Sequence, residues 1–454
     1  MNALDAGMFF AENDTTPLQI GTVAVFEGPA PRYPDLVRQV LARLPLAPRC
    51  LQRVRTVPLN IAHPVWVDDQ HFAIEHHVRH TALPSPGDAH ELHDLAARVL
   101  GRRLDLTRTP WEIWLVDGLE GGRWAAITKV HHCMVDGLAG IDLLTVLLDA
   151  DDRWSPAEPG PWTPVPEPRS RTLVRDAVLD ALAGYGRQAV RLFTPMFRDS
   201  MAIAKAAPAY AAQLAGAGEP TLNGPTGPRR RWCREHAGMD EIDRVRRAHG
   251  GSVNDVALAA VTRGFRGLLA SRGVLTEGSA VRAMVPVSVR TPGERGQLSN
   301  RVSAVLVDLP CGQDDPVRRL RLLREQMDGA KSDGRAAGPD ALVRLIGGAP
   351  ALLAVAAHTA LRLRQPRIQT IVTNVPGPPF PLYAMGHRMV ELAPYIPIAA
   401  GLRISVGVVS YDGGLTFGLT GDHDAVRDLE VVSGGIRAGI DELLAEPPAE
   451  ITAA

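Results

Sequence analysis

Lys129-Val130-His131-His132-Cys133-Met134-Val135-Asp136-Gly137 is the stretch from which the rest of the chain can be placed. Upstream, residues 111–116 and 124–130 are apolar, β-prone runs separated by Asp117, Gly118, Gly121 and Gly122, the pattern of a β-hairpin. Downstream, Leu138, Ile141, Leu144 and Leu148 recur at helical spacing. The two histidines are therefore expected at a strand end, with Asp136 and Gly137 forming the turn into a helix.

Neighbouring residues on an extended segment point to opposite sides, so His131 and His132 cannot face the same substrate. One is expected at the reacting centre and the other buried as its support. Histidine is the usual proton acceptor when an alcohol attacks a carbonyl near neutral pH. Asp136 can lock the turn through a backbone amide or an arginine, and Gly137 admits a backbone angle that other residues resist. A metal site would need a third ligand, and neither HExxH nor CxxC accompanies the HxxxD spacing. A covalent route lacks a G-x-S-x-G, and Cys133 would face away from its neighbour. Direct transfer remains, in which His132 deprotonates an acceptor hydroxyl that attacks an activated acyl group.

A chain of 454 residues exceeds one ordinary hydrophobic core, which predicts two domains. Lys plus Arg number 49 against 50 Asp plus Glu, a balance that disfavours nucleic acid as the main partner. Cys50, Cys133, Cys233 and Cys311 are widely spaced and fit a reducing cytoplasm better than a disulfide scaffold. Residues 1–7 show no basic start followed by an apolar core, so no signal peptide is expected. The weakly charged run 345–360 is broken by Gly347, Gly348 and Pro350 and is too short to span a bilayer.

Along the chain, residues 20–26 read as a strand and 33–44 and 90–100 as helices. Residues 155–169 are proline-rich and read as a crossover without regular structure. Residues 172–217 are helical in composition with a basic face, which suits either a helix pair covering a core or an anionic membrane surface. Beyond Asn223, helices are expected over 239–248, 254–271 and from Asp315-Pro316, and strands over 281–289, 302–309, 368–374, 402–409 and 415–420. Phe72, Ile74 and Val78 alternate as a strand would, and Arg229, Arg230 and Arg231 read as solvated surface or as a hold for a phosphate.

The turn resembles HHxxxDG, the signature of the coenzyme A-dependent acyltransferase superfamily. Other blocks resemble the bacterial wax ester synthase/diacylglycerol acyltransferase family: Leu4-Asp5-Ala6 with Phe9, Glu12, Pro17 and Gly21; Pro64-Val65-Trp66-Val67-Asp68 (PLWxxD); and Phe72 with His77-Val78-Arg79 (FDxxxHVR). Further blocks are Leu222-Asn223-Gly224 with Gly227, Arg229 and Arg230; Asn254-Asp255-Val256; residues 285–290; and Thr373-Asn374-Val375-Pro376-Gly377-Pro378. The resemblance runs in order from about Leu4 to Leu429. Ala73 replaces the Asp of FDxxxHVR, Val65 the Leu of PLWxxD, and Arg108-Thr109-Pro110-Trp111 rearranges RPLWE.

That resemblance implies an α/β (α+β) protein of two chloramphenicol acetyltransferase-like domains with a tunnel at their interface. The expected division is residues 1–154 carrying HHxxxDG, a crossover and helical linker over 155–228, and a second acyltransferase-like domain over 229–454. It implies an O-acyltransferase that moves a long-chain acyl group from acyl-coenzyme A, a substrate and not a cofactor, to diacylglycerol or a fatty alcohol. His132 is then the base, His131 and Asp136 hold it, Gly137 shapes the turn, and Asn254 and Asp255 support the site, with Asn254 alternatively an N-cap. No metal or cofactor is implied, and the setting is cytoplasmic with peripheral contact to the inner membrane face or lipid droplets. The rival readings are a condensation-type acyltransferase using a carrier-protein thioester and a non-catalytic lipid-droplet surface protein.

Overall fold

A computed structural model describes residues 1–134, 148–156, 158–191, 221–288, 302–332 and 368–447. The first half runs through α1 (Ala3–Ala11), β1 (Gln19–Phe26), α2 (Tyr33–Arg43), β2 (Gln52–Arg55), β3 (Val65–Asp68), β4 (Val78–Ala82), α3 (Ala89–Gly101), β5 (Trp111–Leu119) and β6 (Arg123–His131). After α4 (Ser170–Arg191) come β7 (Arg230–Gly238), α5 (Met239–His249), α6 (Val253–Ser271), β8 (Val281–Ser288), β9 (Val302–Leu309) and α7 (Pro316–Ser332). The described chain closes with β10 (Thr370–Pro376), β11 (Tyr383–Ala384), β12 (His387–Tyr395), β13 (Ile404–Tyr411), β14 (Gly414–Asp422) and α8 (Leu429–Ala445).

Local pattern accounts for these elements. β5 and β6 pair antiparallel around Gly121 and Gly122, whose φ of 77° and 67° supply the left-handed turn that only glycine adopts without cost. Asp88 accepts from Glu91 N–H while the Glu91 carboxylate reaches back to Asp88 N–H, a capping box that starts α3. Pro376 ends β10 where the Pro-Gly-Pro-Pro run begins. One expected strand is shorter than its spacing implied. Residues Ile74–His76 form a 3-10 turn, closed by His77 N–H on the Ile74 carbonyl, and only Val78 onward is extended. Alternate apolar positions suit a turn whose buried Ile74 anchors it equally well.

Among the described residues two six-stranded sheets, ordered β11-β12-β1-β6-β5-β4 and β7-β14-β13-β10-β8-β9, stand beside a β2-β3 pair. The first is completed from far along the chain, because β12 lies antiparallel to β1 with Gly21 opposite Tyr395. Its two faces are covered by different helices. Val23, Val25, Ala125 and Ile127 pack with α3 residues, while Phe26, Trp124 and Val130 pack with Leu36 and Val40 of α2. The second sheet packs Ile404, Val406, Phe417 and Leu419 against α5, α6 and α8.

The sheets meet where β12 lies on β13 and β14. A Cβ on Gly418 would stand 1.8 Å from the Pro394 carbonyl oxygen, so only glycine permits the approach. The described residues of the proline-rich crossover have no regular structure, as expected, yet they are strapped down: Val165 N–H donates to Asp68 Oδ2 at 2.9 Å, and Arg53 and Arg55 both reach Glu167 at 2.7 Å. Among the described residues no helix is long and apolar enough to cross a membrane.

His93 of α3 sits edge-on to Trp232 of β7 at 5.4 Å, in the seam between the halves. Burial, reinforced by Arg234 and His90 and opposed by Asp94 and Asp88, lowers its pKa to about 4. The unfolded chain then binds a proton near pH 6.5 that the folded chain refuses until about 4, so stability falls as pH drops through that window. Unfolding free energies from urea titrations at pH 7.5 and 4.5 are expected to differ by ~2 kcal/mol more in the parent than in His93→Gln. Equal losses in the two proteins would refute this.

Candidate active site

β6 ends on His131, and strand parity fixes which way it faces. With Ile127 and Lys129 it lies on the α3 side, and Lys129 Nζ donates to the Val99 carbonyl at 3.1 Å. Lys129 is buried, and burial lowers its pKa against the pull of Glu112, whose Oε2 stands 3.7 Å away. His131 is 0% exposed and its N–H donates to the Pro110 carbonyl at 2.9 Å. His132 leaves the strand: its N–H donates to the Leu18 carbonyl at 2.8 Å, Met134 N–H closes the turn on His131 O, and its side chain is half-buried.

His131 Nδ1 accepts the Cys133 N–H at 3.1 Å, so its proton sits on Nε2, which faces Glu12 Oε1 at 3.6 Å. Glu12 hangs from the segment after α1 with its carboxylate fully buried. Its Oε1 accepts Leu18 N–H at 3.1 Å, and its Oε2 accepts Arg103 Nε and Nη2 at 3.2 and 3.0 Å. Burial alone would raise the Glu12 pKa; His131, the Leu18 amide and Arg103 outweigh it and hold the carboxyl below its ordinary value. One carboxylate thus serves both histidines, facing His131 directly and fixing Leu18, whose carbonyl holds the His132 amide. Glu12 counted in the sequence only as part of an N-terminal block; its pairing with His131 spans a separation no local pattern reports.

The remaining expected residues divide. Asp136, Gly137 and the helical positions Leu138, Ile141 and Leu144 lie outside the described residues, as do residues 192–217 of the basic helical stretch. Cys133 is 1% exposed, and burial pushes its thiol well above the ordinary range, which removes it as a nucleophile at neutral pH.

Asn254 is not the N-cap of its helix. That role belongs to Ser252, whose N–H and hydroxyl both donate to Asp255 Oδ2 at 2.8 Å, because Asp255 stands at the third helical position where a capping box closes. Asn254 instead accepts from Asn374 Nδ2 at 3.4 Å, joining the Asn-Asp and Asn-Val-Pro-Gly-Pro blocks across the start of α6 and the end of β10. The arginine run is structural in part. Arg230 is buried and donates to the Thr15 and Gly227 carbonyls at 2.6 Å, tying the N-terminal segment to the second sheet, while Arg229 pairs with Asp424 at 2.8 Å.

Residues 1–257 match the family model described as wax ester synthase/diacylglycerol acyltransferase catalytic domain, and residues 298–444 match the WS/DGAT C-terminal domain. The chain is 35% identical over 452 residues to the Mycobacterium tuberculosis protein named "Probable diacyglycerol O-acyltransferase tgs1", covering 98% of this chain and 96% of that one. Its fold resembles that of the wax ester synthase/diacylglycerol acyltransferase from Marinobacter aquaeolei VT8, with a TM-score of 0.69 at 24% identity over 98% of both chains. It also resembles the first condensation domain of the calcium-dependent antibiotic synthetase, with a TM-score of 0.61 at 18% identity over 98% of this chain and 95% of that one. At those identities the likeness is one of fold, the two-domain chloramphenicol acetyltransferase-like architecture.

Proposed function

This chain belongs to the wax ester synthase/diacylglycerol acyltransferase family of acyltransferases, and from that premise we propose that it moves a long-chain fatty acyl group from acyl-coenzyme A to diacylglycerol or a fatty alcohol. The products are triacylglycerol or a wax ester. His132 takes the acceptor's hydroxyl proton as the oxygen attacks the thioester carbonyl. The tetrahedral oxyanion collapses with loss of the C–S bond, and the thiolate recovers the proton from the imidazolium, so one imidazole serves both half-steps.

The observation that carries this reading is the division between the two histidines. His131 is sealed and committed to Cys133 N–H and Glu12, whereas His132 stands half-buried at the strand end, with its backbone held by Leu18. Asp136 and Gly137 complete the turn in this reading, and Asn254 and Asp255 support the second wall of a tunnel that admits thioester and alcohol from opposite ends. A lipid acceptor places the reaction at the cytoplasmic face of a membrane or at a droplet surface.

A thiol-release assay with palmitoyl-coenzyme A tests the proposal. Release is expected to rise on adding diacylglycerol or hexadecanol and to stay low with a short alcohol. Release only from an acyl-carrier-protein thioester would transfer the chain to condensation-type chemistry. Binding to anionic vesicles without release from any donor would make it a lipid-surface protein.

A further inference from the structure

His77 lies outside the histidine turn and is built as tightly as the turn itself. It is 3% exposed, and its ring is sandwiched between Phe72, 5.1 Å away at an interplanar angle of 4°, and Trp111, 4.8 Å away at 26°. Both ring nitrogens are committed. Nδ1 stands 2.9 Å from the Trp111 carbonyl, which can only accept, so the proton resides there; Nε2 then accepts from the Thr109 hydroxyl at 3.0 Å. Burial lowers the His77 pKa, in keeping with a neutral ring that uses one nitrogen each way.

The two groups that His77 grips flank Pro110, and the Pro110 carbonyl accepts the His131 amide at 2.9 Å at the last residue of β6. Trp111, opposite Val130, is pinned from its other side by Nε1–H donating to the Cys50 carbonyl at 2.7 Å. Proline at 110 has no N–H with which to join the ladder, so the position of its carbonyl depends on its neighbours.

We propose that His77 is a positioning residue for acyl transfer: by clamping Thr109 and Trp111 it sets the Pro110 carbonyl and hence the point at which the histidine turn departs from β6.

The inference rests on His132 being the base, and the test separates the two claims. His77→Phe keeps the stack and removes both polar contacts; Thr109→Val removes one contact without changing side-chain shape. Steady-state turnover per folded molecule is expected to fall about tenfold in kcat for His77→Phe and about threefold for Thr109→Val. KM for palmitoyl-coenzyme A is expected to stay within about twofold. The double variant should be no worse than His77→Phe alone, because both changes break one clamp. A purely structural His77 would lower Tm and leave kcat at the parent value, and that result overturns the proposal. Should His77→Phe fail to fold, an unchanged kcat in Thr109→Val overturns it equally. If His132→Ala turns over like the parent, the base assignment has failed instead.

Discussion

His132→Ala is expected to lower acyl transfer by at least ~10² while leaving thermal unfolding within a few degrees of the parent. Both halves of this expectation follow from how the residue is held. The strand end is fixed through backbone groups, His132 N–H on Leu18 O and Met134 N–H on His131 O, which alanine keeps. The side chain is half-buried, so its removal costs less packing than truncation of a sealed core residue. What vanishes is the group assigned to accept the hydroxyl proton, and an alcohol with a pKa far above neutral is a poor nucleophile without one. Thiol release and a melting curve on the same sample provide the check, and parent-like turnover in a folded variant sinks the mechanism. His131→Ala should behave differently, losing fold as well as rate, because its ring is sealed and supplies the acceptor for Cys133 N–H.

Glu12→Gln is expected to cut kcat by about 10- to 100-fold with little change in KM. Glutamine matches the shape and can still accept Leu18 N–H, so the local backbone survives. It cannot offer a negative charge to the proton on His131 Nε2, nor to Arg103. His131 then loses the bias that keeps Nδ1 free to accept from Cys133, and an exchanged tautomer would push that amide away. The expected loss is smaller than when a carboxylate directly orients the base, because Glu12 acts one residue removed.

Stability adds an independent signature. A carboxyl held below its ordinary pKa contributes stability that is present above the unfolded value near ~4.3 and fades as pH falls through the folded value. The parent should therefore exceed Glu12→Gln in stability at pH 7, with the difference shrinking toward pH 3. Equal kcat, or a gap that widens in acid, would remove Glu12 from the machinery.

Much of the fold was legible because local periodicity and local structure agree. The helices expected over 33–44, 90–100, 239–248 and 254–271 and the strands expected over 20–26, 124–130, 281–289, 302–309, 368–374, 402–409 and 415–420 form within two residues of those bounds, while the strand expected over 111–116 runs on to Leu119. The segment at 74–76 was not, since a buried residue every second position also describes a turn with one anchor. Lys129 gives the opposite lesson. A lysine in a strand reads as solvent-facing, yet a helix carbonyl at Val99 and the Glu112 carboxylate receive it inside.

By itself, the sequence determined the family, through ordered motif blocks, and the separation of His131 from His132, through the two-residue period of a strand. Only the tertiary structure decided which histidine is sealed, since that depends on α3 covering one face of β6. It alone brought Glu12 to His131, His77 to the carbonyl that holds the turn, Asn374 to Asn254, and β12 to the edge of β1. The reason is physical: periodicity records which side of an element is buried, but not which distant segment buries it. That choice is made by the sum of packing and hydrogen bonding over the whole fold, and the proposed reacting centre at Lys129 to His132 is assembled by those distant partners.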